Sequence, residues 1–289
     1  MRAGARSRIG VAAAVSAALL ASIGSASPGS PSPFAYERSQ PLDLESRRAG
    51  DGVREVSFAA PRGGRVRGLL VLPRGRGPFP AVLYLHGAGG GRRQFLADAK
   101  AFARQGVAGL TIDSAWARAR SSDPGGLAAV RRFRDLEAAT VADLRRSVDL
   151  LRSLPAIDGG RIGFVGWSAG AREGAIFAGV ERRVRSFVLV AGGASPVASY
   201  LASVPGSLRP AVERLLTDVD PLRWVARARP GTIFFQNGLG DAVVPRHALR
   251  RLAAAAPSPQ RVRWYDAAHA PSARMVRERN AWLAARLGA

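Results

Sequence analysis

The hydrophobic positions of this chain fall in short runs separated by polar, glycine-rich or proline-rich segments. Runs at 53–58 and 66–72 flank the turn-forming pair Gly63-Gly64 and predict an antiparallel hairpin. Further runs recur at 81–85, 107–112, 162–165, 187–190, 232–236 and 262–265. These later runs are almost continuously apolar, which predicts strands of a sheet that is covered on both faces.

Helix-like patterns lie between most of these runs, at 94–104, 136–154 and 246–256 for example. Strand alternating with helix predicts the α/β class, with a mainly parallel central sheet and helices on both faces. The insertion at 192–230 interrupts this alternation of strands and helices. It contains several prolines and one short helical pattern near 209–216. Such an insertion either covers an active-site mouth or is a surface excursion, and the sequence leaves both open.

The N-terminal segment differs in character from the rest. Arg2, Arg6 and Arg8 lead into an apolar run at 9–23, which small residues follow at 24–26. This order predicts a signal peptide at 1–26, with an uncleaved anchor as the alternative. A linker and N-terminal segment at 27–50 and one folded domain at 51–289 should follow. We therefore expect a secreted, periplasmic or cell-surface protein with no stable membrane insertion after cleavage.

The composition of the chain disfavours a nucleic-acid partner and excludes every site that needs cysteine. The formal net charge is +22, and it is carried almost entirely by arginine. The arginines are scattered and no nucleic-acid motif is present, which favours a compositional bias over a nucleic-acid partner. The chain has no cysteine, which excludes disulfides, thiolate metal sites and a cysteine nucleophile. Nothing in the sequence indicates the oligomeric state.

A nucleophile motif lies in the middle of the chain. Residues 166–170, Gly-Trp-Ser-Ala-Gly, match G-x-S-x-G and stand between a predicted strand and the helix-like run 169–178. Strand, tight turn and helix form the setting of a nucleophile elbow, which strains the serine backbone and exposes its Oγ above the sheet. We predict Ser168 as the nucleophile, against the alternative of an ordinary serine in a strand–helix turn.

A glycine-rich loop, His-Gly-Ala-Gly-Gly-Gly at 86–91, follows the run 81–85. Backbone N–H groups in such a loop can stabilise a developing oxyanion. We predict Ala88 as one donor and Ala169, the residue after the nucleophile, as the other. A phosphate-binding loop is the weaker alternative, because neither common phosphate-loop pattern is present.

The chain has three histidines, so few candidates exist for a general base. His86 lies in the glycine-rich loop, where we expect it to hold the loop. His247 begins a predicted helix and should be a surface residue. His269 follows the last predicted strand and is the expected base.

The loop after the run 232–236 contains Asp241, which we predict to orient His269 and stabilise its imidazolium form. The chain order Ser168, Asp241, His269 is the order expected of α/β-hydrolases. Asp266 is the alternative acid, although it lies close to His269 in sequence. Two other acids, at 218 and 220 in the insertion, are weaker candidates.

Taken together, these segments resemble the dienelactone-hydrolase-like and acyl-esterase branch of the α/β-hydrolase superfamily. The resemblance runs from about Val53 to the C-terminus. It rests on His86-Gly87, the segment 157–163 before the elbow, the pattern Gly-x-x-Asp-x-x-Val-Pro at 238–245, and His269. It implies hydrolysis of carboxylic esters of small-molecule or polymer substrates, with no cofactor and no metal. Dienelactone hydrolases proper use a cysteine nucleophile, which this chain lacks, and Ala171 stands where related enzymes often have a second glycine.

Two other functions stay open at this point. The first is a serine peptidase similar to the prolyl-oligopeptidase group, although the segment before the domain is too short for the extra domain of those enzymes. The second is a non-catalytic, cationic surface-binding protein that keeps the fold. Trp167, Trp116 and Trp224 are candidates for an apolar acyl pocket, with ordinary core positions as the alternative.

Overall fold

The computed structural model describes residues 32–119 and 124–289. The predicted signal peptide at 1–26 and the first residues of 27–50 lie outside the described residues. The described strands are β1 (Glu45–Gly50), β2 (Val53–Ala59), β3 (Arg65–Val71), β4 (Phe79–Leu85), β5 (Ala108–Ile112), β6 (Ile157–Trp167), β7 (Ser186–Val190), β8 (Ile233–Gly238) and β9 (Arg261–Tyr265). They form one nine-stranded sheet in the order β1-β2-β3-β5-β4-β6-β7-β8-β9.

The sheet is antiparallel from β1 to β5 and parallel from β5 to β9. The described helices are α1 (Leu96–Ala103), α2 (Ala115–Arg118), α3 (Gly126–Ser153), α4 (Ala169–Val180), α5 (Val197–Leu201), α6 (Arg209–Asp218), α7 (Pro221–Val225), α8 (Arg246–Ala255) and α9 (Ala273–Leu287). A short 3-10 helix, Gly206–Leu208, precedes α6. The predicted α/β class, the β2–β3 hairpin and the mainly parallel sheet are confirmed.

Hydrophobic packing on both faces explains why the central strands are continuously apolar. Alternate residues of β4 enter different clusters: Leu83 packs on one face and Tyr84 on the other. Helices α3, α4 and α8 cover the first face, while α1 and α9 cover the second. Every residue of β5, β7 and β8 is buried as a result. The carboxyl ends of the parallel strands are therefore held at one edge by two packed layers.

Several elements differ from the sequence predictions. All six residues of β1 are exposed, so this edge strand lacks the apolar signal that marks the others. Phe34 also lies in the segment 27–50, and it is fully buried with its ring 5.1 Å from that of Trp224. Helix α3 begins ten residues before the predicted start at 136, and none of the residues 126–135 is buried, so no core-facing pattern marks this part of the helix. Part of the predicted linker and N-terminal segment is thus packed structure.

The insertion at 192–230 lies beside the carboxyl edge of the sheet. It contains α5, α6 and α7, and α6 includes the helical pattern predicted near 209–216. A Cβ added at Gly193 would lie 2.3 Å from Val244, in the loop after β8. The insertion therefore begins in tight contact with the loop that carries the predicted acid.

Candidate active site

Ser168 occupies a strained turn between β6 and α4. Its backbone has φ 57° and ψ −118°, a region that costs a non-glycine residue about 1–3 kcal/mol. The Ser168 N–H donates to the Val190 carbonyl oxygen at the end of β7, over 2.8 Å. The sheet thus holds the backbone of this residue in place, in the strand–turn–helix geometry that the motif predicts.

The glycines on either side of Ser168 permit the close backbone packing of the turn. A Cβ added at Gly166 would lie 2.3 Å from the Gly170 carbonyl oxygen. A Cβ added at Gly170 would lie 2.5 Å from the carbonyl oxygens of Leu85 and His86. Both distances are far below van der Waals contact, so a side chain at either position would displace the elbow.

His269 lies against the Ser168 hydroxyl. Its Nε2 is 2.9 Å from Ser168 Oγ, and its Nδ1 is 2.9 Å from Asp241 Oδ2. The Trp167 indole N–H donates to the His269 carbonyl oxygen over 3.0 Å, and the two rings lie 5.4 Å apart. Residues from the loops after β6, β8 and β9 thus form one continuous chain of hydrogen bonds.

Asp241 is buried and its orientation is determined by backbone contacts. Its side chain is 1% exposed, against 16% for His269. Asp241 Oδ1 accepts hydrogen bonds from the N–H groups of Val243 and Val244, each over 2.9 Å. This leaves Oδ2 for His269. Because a carboxylate only accepts, His269 carries its proton on Nδ1 and presents Nε2 as an acceptor to the serine hydroxyl.

The other candidate acids and histidines lie elsewhere. Asp266 is exposed just after β9, and His247 is exposed on α8. Asp218 accepts from the Arg134 guanidinium, and Asp220 caps α7 by accepting from a backbone N–H. The structure brings none of these four side chains to the serine.

The glycine-rich loop after β4 passes beside the nucleophile. A Cβ added at Gly87 would lie 3.3 Å from Ser168 Cβ. In the described part of the chain, neither the Ala88 N–H nor the Ala169 N–H donates to another residue. Both residues line one cavity beside the serine. The two predicted oxyanion donors are therefore brought together with their N–H groups unused.

His86 holds this loop in place, as expected. Its Nε2 accepts from the Ser114 N–H over 3.0 Å, so the ring proton lies on Nδ1 and is donated to the Gly87 carbonyl oxygen over 2.7 Å. Both ring nitrogens are used by backbone groups, and the side chain is buried.

Comparison with solved structures identifies the fold. An acetyl xylan esterase from Paenibacillus superposes with a TM-score of 0.71 and 20% identity, over 86% of this chain and 90% of that one. An acetyl xylan esterase from Thermoanaerobacterium gives 0.68 and 17%, over 87% and 90%. An alpha/beta hydrolase from Penicillium gives 0.62 and 17%, over 82% and 99%. The chain has the α/β-hydrolase fold.

Sequence comparison finds similarity to curated proteins over part of the chain. Acyl-coenzyme A thioesterase 1 of Mus musculus is 28% identical over 166 residues, which cover 54% of this chain and 36% of the relative. Acyl-coenzyme A thioesterase 5 of Mus musculus is 32% identical over 162 residues, covering 54% and 34%. The match thus spans about a third of the length of these curated relatives. No family model matches the chain.

A cavity of about 490 Å³ opens beside Ser168 in this α/β-hydrolase fold. The glycine-rich loop forms one wall, and Trp116, Phe133, Arg172 and Glu173 form others. Of the three tryptophans that are candidates for an apolar acyl pocket, one, Trp116, lines this cavity. Trp224 belongs to the core beside Phe34, and Trp167 supports His269.

Sequence analysis missed a buried charged cluster behind this cavity. Glu137 Oε1 accepts from the Trp116 indole N–H and from Arg172 Nη2, each over 2.8 Å. Glu173 is buried beside them; burial and the neighbouring Glu137 raise its pKa well above the ordinary value for a glutamate. A signal was available, because Glu137 shares the helical spacing of the apolar face of α3, where a charged residue is out of place.

Burial lowers the pKa of Arg172, whereas the neighbouring Glu137, Glu173 and Tyr200 raise it. The effect of the neighbours is larger, so the pKa of Arg172 lies above its ordinary value. Tyr200 lies on α5 and is 47% exposed. The insertion therefore places Tyr200 near Arg172, although no residue of 192–230 lines the cavity.

Within 32–119 and 124–289, no group of three or more His, Cys, Asp or Glu side chains is placed to hold a metal ion. Over the same residues, no helix combines the length and the apolar character needed to cross a membrane.

Proposed function

We propose that this protein is a serine hydrolase that cleaves carboxylic esters through an acyl-enzyme formed on Ser168. One observation carries the proposal. The hydroxyl of an elbow serine is hydrogen-bonded to His269, which is hydrogen-bonded in turn to the buried Asp241. A serine hydroxyl is a weak nucleophile unless an adjacent base takes its proton, and this arrangement provides that base.

In the first half-reaction, Ser168 Oγ attacks the ester carbonyl carbon and its proton passes to His269 Nε2. The carbonyl oxygen becomes an oxyanion, to which the Ala88 and Ala169 N–H groups donate. The intermediate then collapses, the bond between the carbonyl carbon and the alcohol oxygen breaks, and His269 returns the proton to the leaving alcohol. Asp241 holds the imidazolium in the orientation that both transfers require.

In the second half-reaction, water attacks the acyl carbon and gives a proton to His269 Nε2. The new oxyanion occupies the same donors, and its collapse breaks the bond to Ser168 Oγ. His269 passes the proton back to Ser168, and the carboxylic acid leaves. The step uses water and the chain's own residues, so the proposal requires no cofactor.

The names of the similar proteins support this class of chemistry. The structural neighbours include esterases, and the sequence relatives include acyl-coenzyme A thioesterases. Thioesters are therefore the second candidate substrates, since attack at a thioester carbonyl would use the same serine, base and oxyanion donors. Paired rates on an acyl-coenzyme A and on the p-nitrophenyl ester of the same acid would rank the two.

The proposal is tested with Ser168→Ala, with the exposed Ser207→Ala as the matched control. We expect Ser168→Ala to lower kcat for p-nitrophenyl esters by about 10³-fold or more, while Ser207→Ala stays near wild type. A fluorophosphonate probe should label the wild type and Ser207→Ala but not Ser168→Ala. Full activity in a folded Ser168→Ala variant would refute the assignment of the nucleophile.

The same measurements address the other functions. A cationic surface-binding protein without catalysis would neither turn over esters nor accept the probe. A peptidase would accept the probe but would prefer peptides to esters in a direct competition. We expect ester turnover to dominate.

We also propose that the protein is exported and that its mature chain begins near Ser27. The order of charged, apolar and small residues at 1–26 supports this. Phe34, which is fully buried, lies beyond this point, so cleavage would keep this residue in the mature chain. The intact mass of protein from its native host tests the proposal, because a retained Met1 or Arg2 would indicate an anchor.

A further inference from the structure

The cavity beside Ser168 contains charged groups that ester hydrolysis itself does not use. Arg172 and Glu173 line it, and Glu137 lies behind them with a side chain that is 1% exposed. Buried charges are costly and are usually paired, so a charged cluster in a substrate cavity calls for an explanation.

The position of the cavity indicates which part of an ester would occupy it. His269 must give its proton to the leaving oxygen, so the alcohol part lies on the His269 side of Ser168. The cavity is lined by both oxyanion donors, Ala88 and Ala169, but by no residue of the loops that carry Asp241 and His269. The acyl part would therefore enter the cavity.

Arg172 is within reach of a short acyl chain. It lies one turn of α4 beyond Ser168, an axial rise of about 6 Å. Its guanidinium is packed 5.2 Å from the Phe133 ring centroid and is tied to Glu137 through Nη2. Among the described residues, its other nitrogens have no hydrogen-bond partner, and its side chain is 25% exposed. Because Arg172 lines the cavity, these unpaired N–H donors are available to an acyl chain bound there.

The charge of the cluster determines which acyl groups fit. Glu137 already compensates the charge of Arg172, and burial and the neighbouring Glu137 raise the pKa of Glu173, which disfavours its charged form. A second carboxylate, brought in by the substrate, would leave a net negative charge beside Glu137, whose side chain is 1% exposed. A purely aliphatic chain would cover the free N–H donors without pairing them, which is also costly. A neutral acceptor atom avoids both penalties.

We propose that Arg172, held in place by Glu137, selects acyl groups that carry a neutral hydrogen-bond acceptor, such as an ether or carbonyl oxygen, a few atoms beyond the ester carbonyl. This specificity rests on the proposed function, because it concerns the acyl part of the ester that Ser168 would cleave. Trp116 and Phe133 would pack against the methylene groups of the same chain.

The experiment compares three p-nitrophenyl esters of similar acyl length: hexanoate, γ-methoxybutanoate and the adipate half-ester. The methoxy compound replaces one methylene of hexanoate by oxygen, far enough from the carbonyl to leave its reactivity nearly unchanged. For the wild-type protein, we expect kcat/KM for the ether to exceed that for hexanoate by roughly tenfold, the effect of one hydrogen bond to a charged donor. The adipate half-ester should be the poorest substrate of the three.

Two substitutions test the role of the guanidinium. Arg172→Met keeps an unbranched side chain of reduced length and removes the donors, so the ether-to-hexanoate ratio should fall to near one. Arg251→Met, on the exposed face of α8 away from the cavity lining, removes one charge in the same way and is the matched control. Its ratio should equal that of the wild type.

The outcomes separate the two proposals. If the esters are hydrolysed in a Ser168-dependent way but the wild type prefers hexanoate or the adipate half-ester, the specificity proposal is overturned while the hydrolase proposal stands. The same holds if the ether preference survives in Arg172→Met. If no ester is cleaved in a Ser168-dependent way, the proposed function fails and the specificity falls with it.

Discussion

Replacing Asp241 by asparagine isolates the role of this side chain in orienting His269. The side chain keeps its size, and Oδ1 is already bound to the N–H groups of Val243 and Val244. These two donors require an oxygen, so in the variant the amide oxygen must take this position and the amide NH₂ must face His269. His269 Nδ1 must then accept a hydrogen bond instead of donating one.

This exchange disables the base without disturbing the packing. A neutral imidazole that accepts at Nδ1 carries its proton on Nε2, the atom 2.9 Å from Ser168 Oγ. It can no longer take the serine proton. Enforcing the wrong tautomer in this way, in serine proteases of the chymotrypsin class, lowers kcat by about 10⁴-fold, which corresponds to a barrier higher by roughly 5.5 kcal/mol. We expect a loss of the same order here.

The assay is kcat for p-nitrophenyl acetate, measured for Asp241→Asn and for the control Asp266→Asn. Asp266 is exposed and lies near His269 in sequence, so its variant makes the same chemical change without touching the imidazole. Its kcat should stay within about twofold of wild type, as surface substitutions usually have small effects. A folded Asp241→Asn variant with more than a tenth of wild-type kcat, or a larger loss in Asp266→Asn, would refute the reasoning.

Two further predictions concern stability. Burial and Glu137 raise the pKa of Glu173, so the folded protein keeps a proton that the unfolded chain releases. The free energy of unfolding should therefore fall as pH rises from about 4.3, the ordinary pKa of a glutamate, towards the raised pKa. The slope is at most about 1.4 kcal/mol per pH unit. Glu173→Gln should remove this contribution, so denaturant unfolding across that range should show a flatter pH profile; an unchanged profile would contradict the burial argument. Phe34→Ala should lower the free energy of unfolding by about 3–5 kcal/mol, since the ring is fully buried against Trp224; a loss below about 1 kcal/mol would mean that residues before β1 do not stabilise the domain.

Much of the arrangement around Ser168 could be predicted because each element leaves a local mark on the sequence. A buried parallel strand is a continuous apolar run, and the elbow requires glycines at 166 and 170 for reasons that the 2.3 Å and 2.5 Å approaches make explicit. The scarcity of histidine then left few candidates for the base. The position of Asp241 in the loop after β8 favours it over Asp266 as the acid, and in the structure Asp241 lies within hydrogen-bond distance of His269.

The features that sequence analysis missed depend on contacts between distant segments. Strand β1 is exposed along its whole length and is stabilised by pairing with β2, so no hydrophobic periodicity marks it. Phe34 sits in a proline-rich stretch whose composition predicts a linker, yet its burial depends on Trp224, far along the chain. The partnership of Glu137 with Trp116 and Arg172 likewise joins three separate segments.

The sheet order itself divides the site into two sides. Strand β6 carries Ser168, with β4 and its glycine-rich loop on one side and β7, β8 and β9 on the other. Because parallel strands end at the same edge, in the proposed mechanism the loop after β4 supplies an oxyanion donor from one direction, while the loops after β8 and β9 bring the acid and base from the other. An ester carbonyl bound between them must point its leaving oxygen towards His269, and its acyl chain is then directed to the side of β4. The cavity with Arg172 lies on that side. Because the order of the strands sets the direction of the substrate, the residues around α4 would contact the acyl group and determine acyl selectivity. The loops that carry Asp241 and His269 would contact the leaving group.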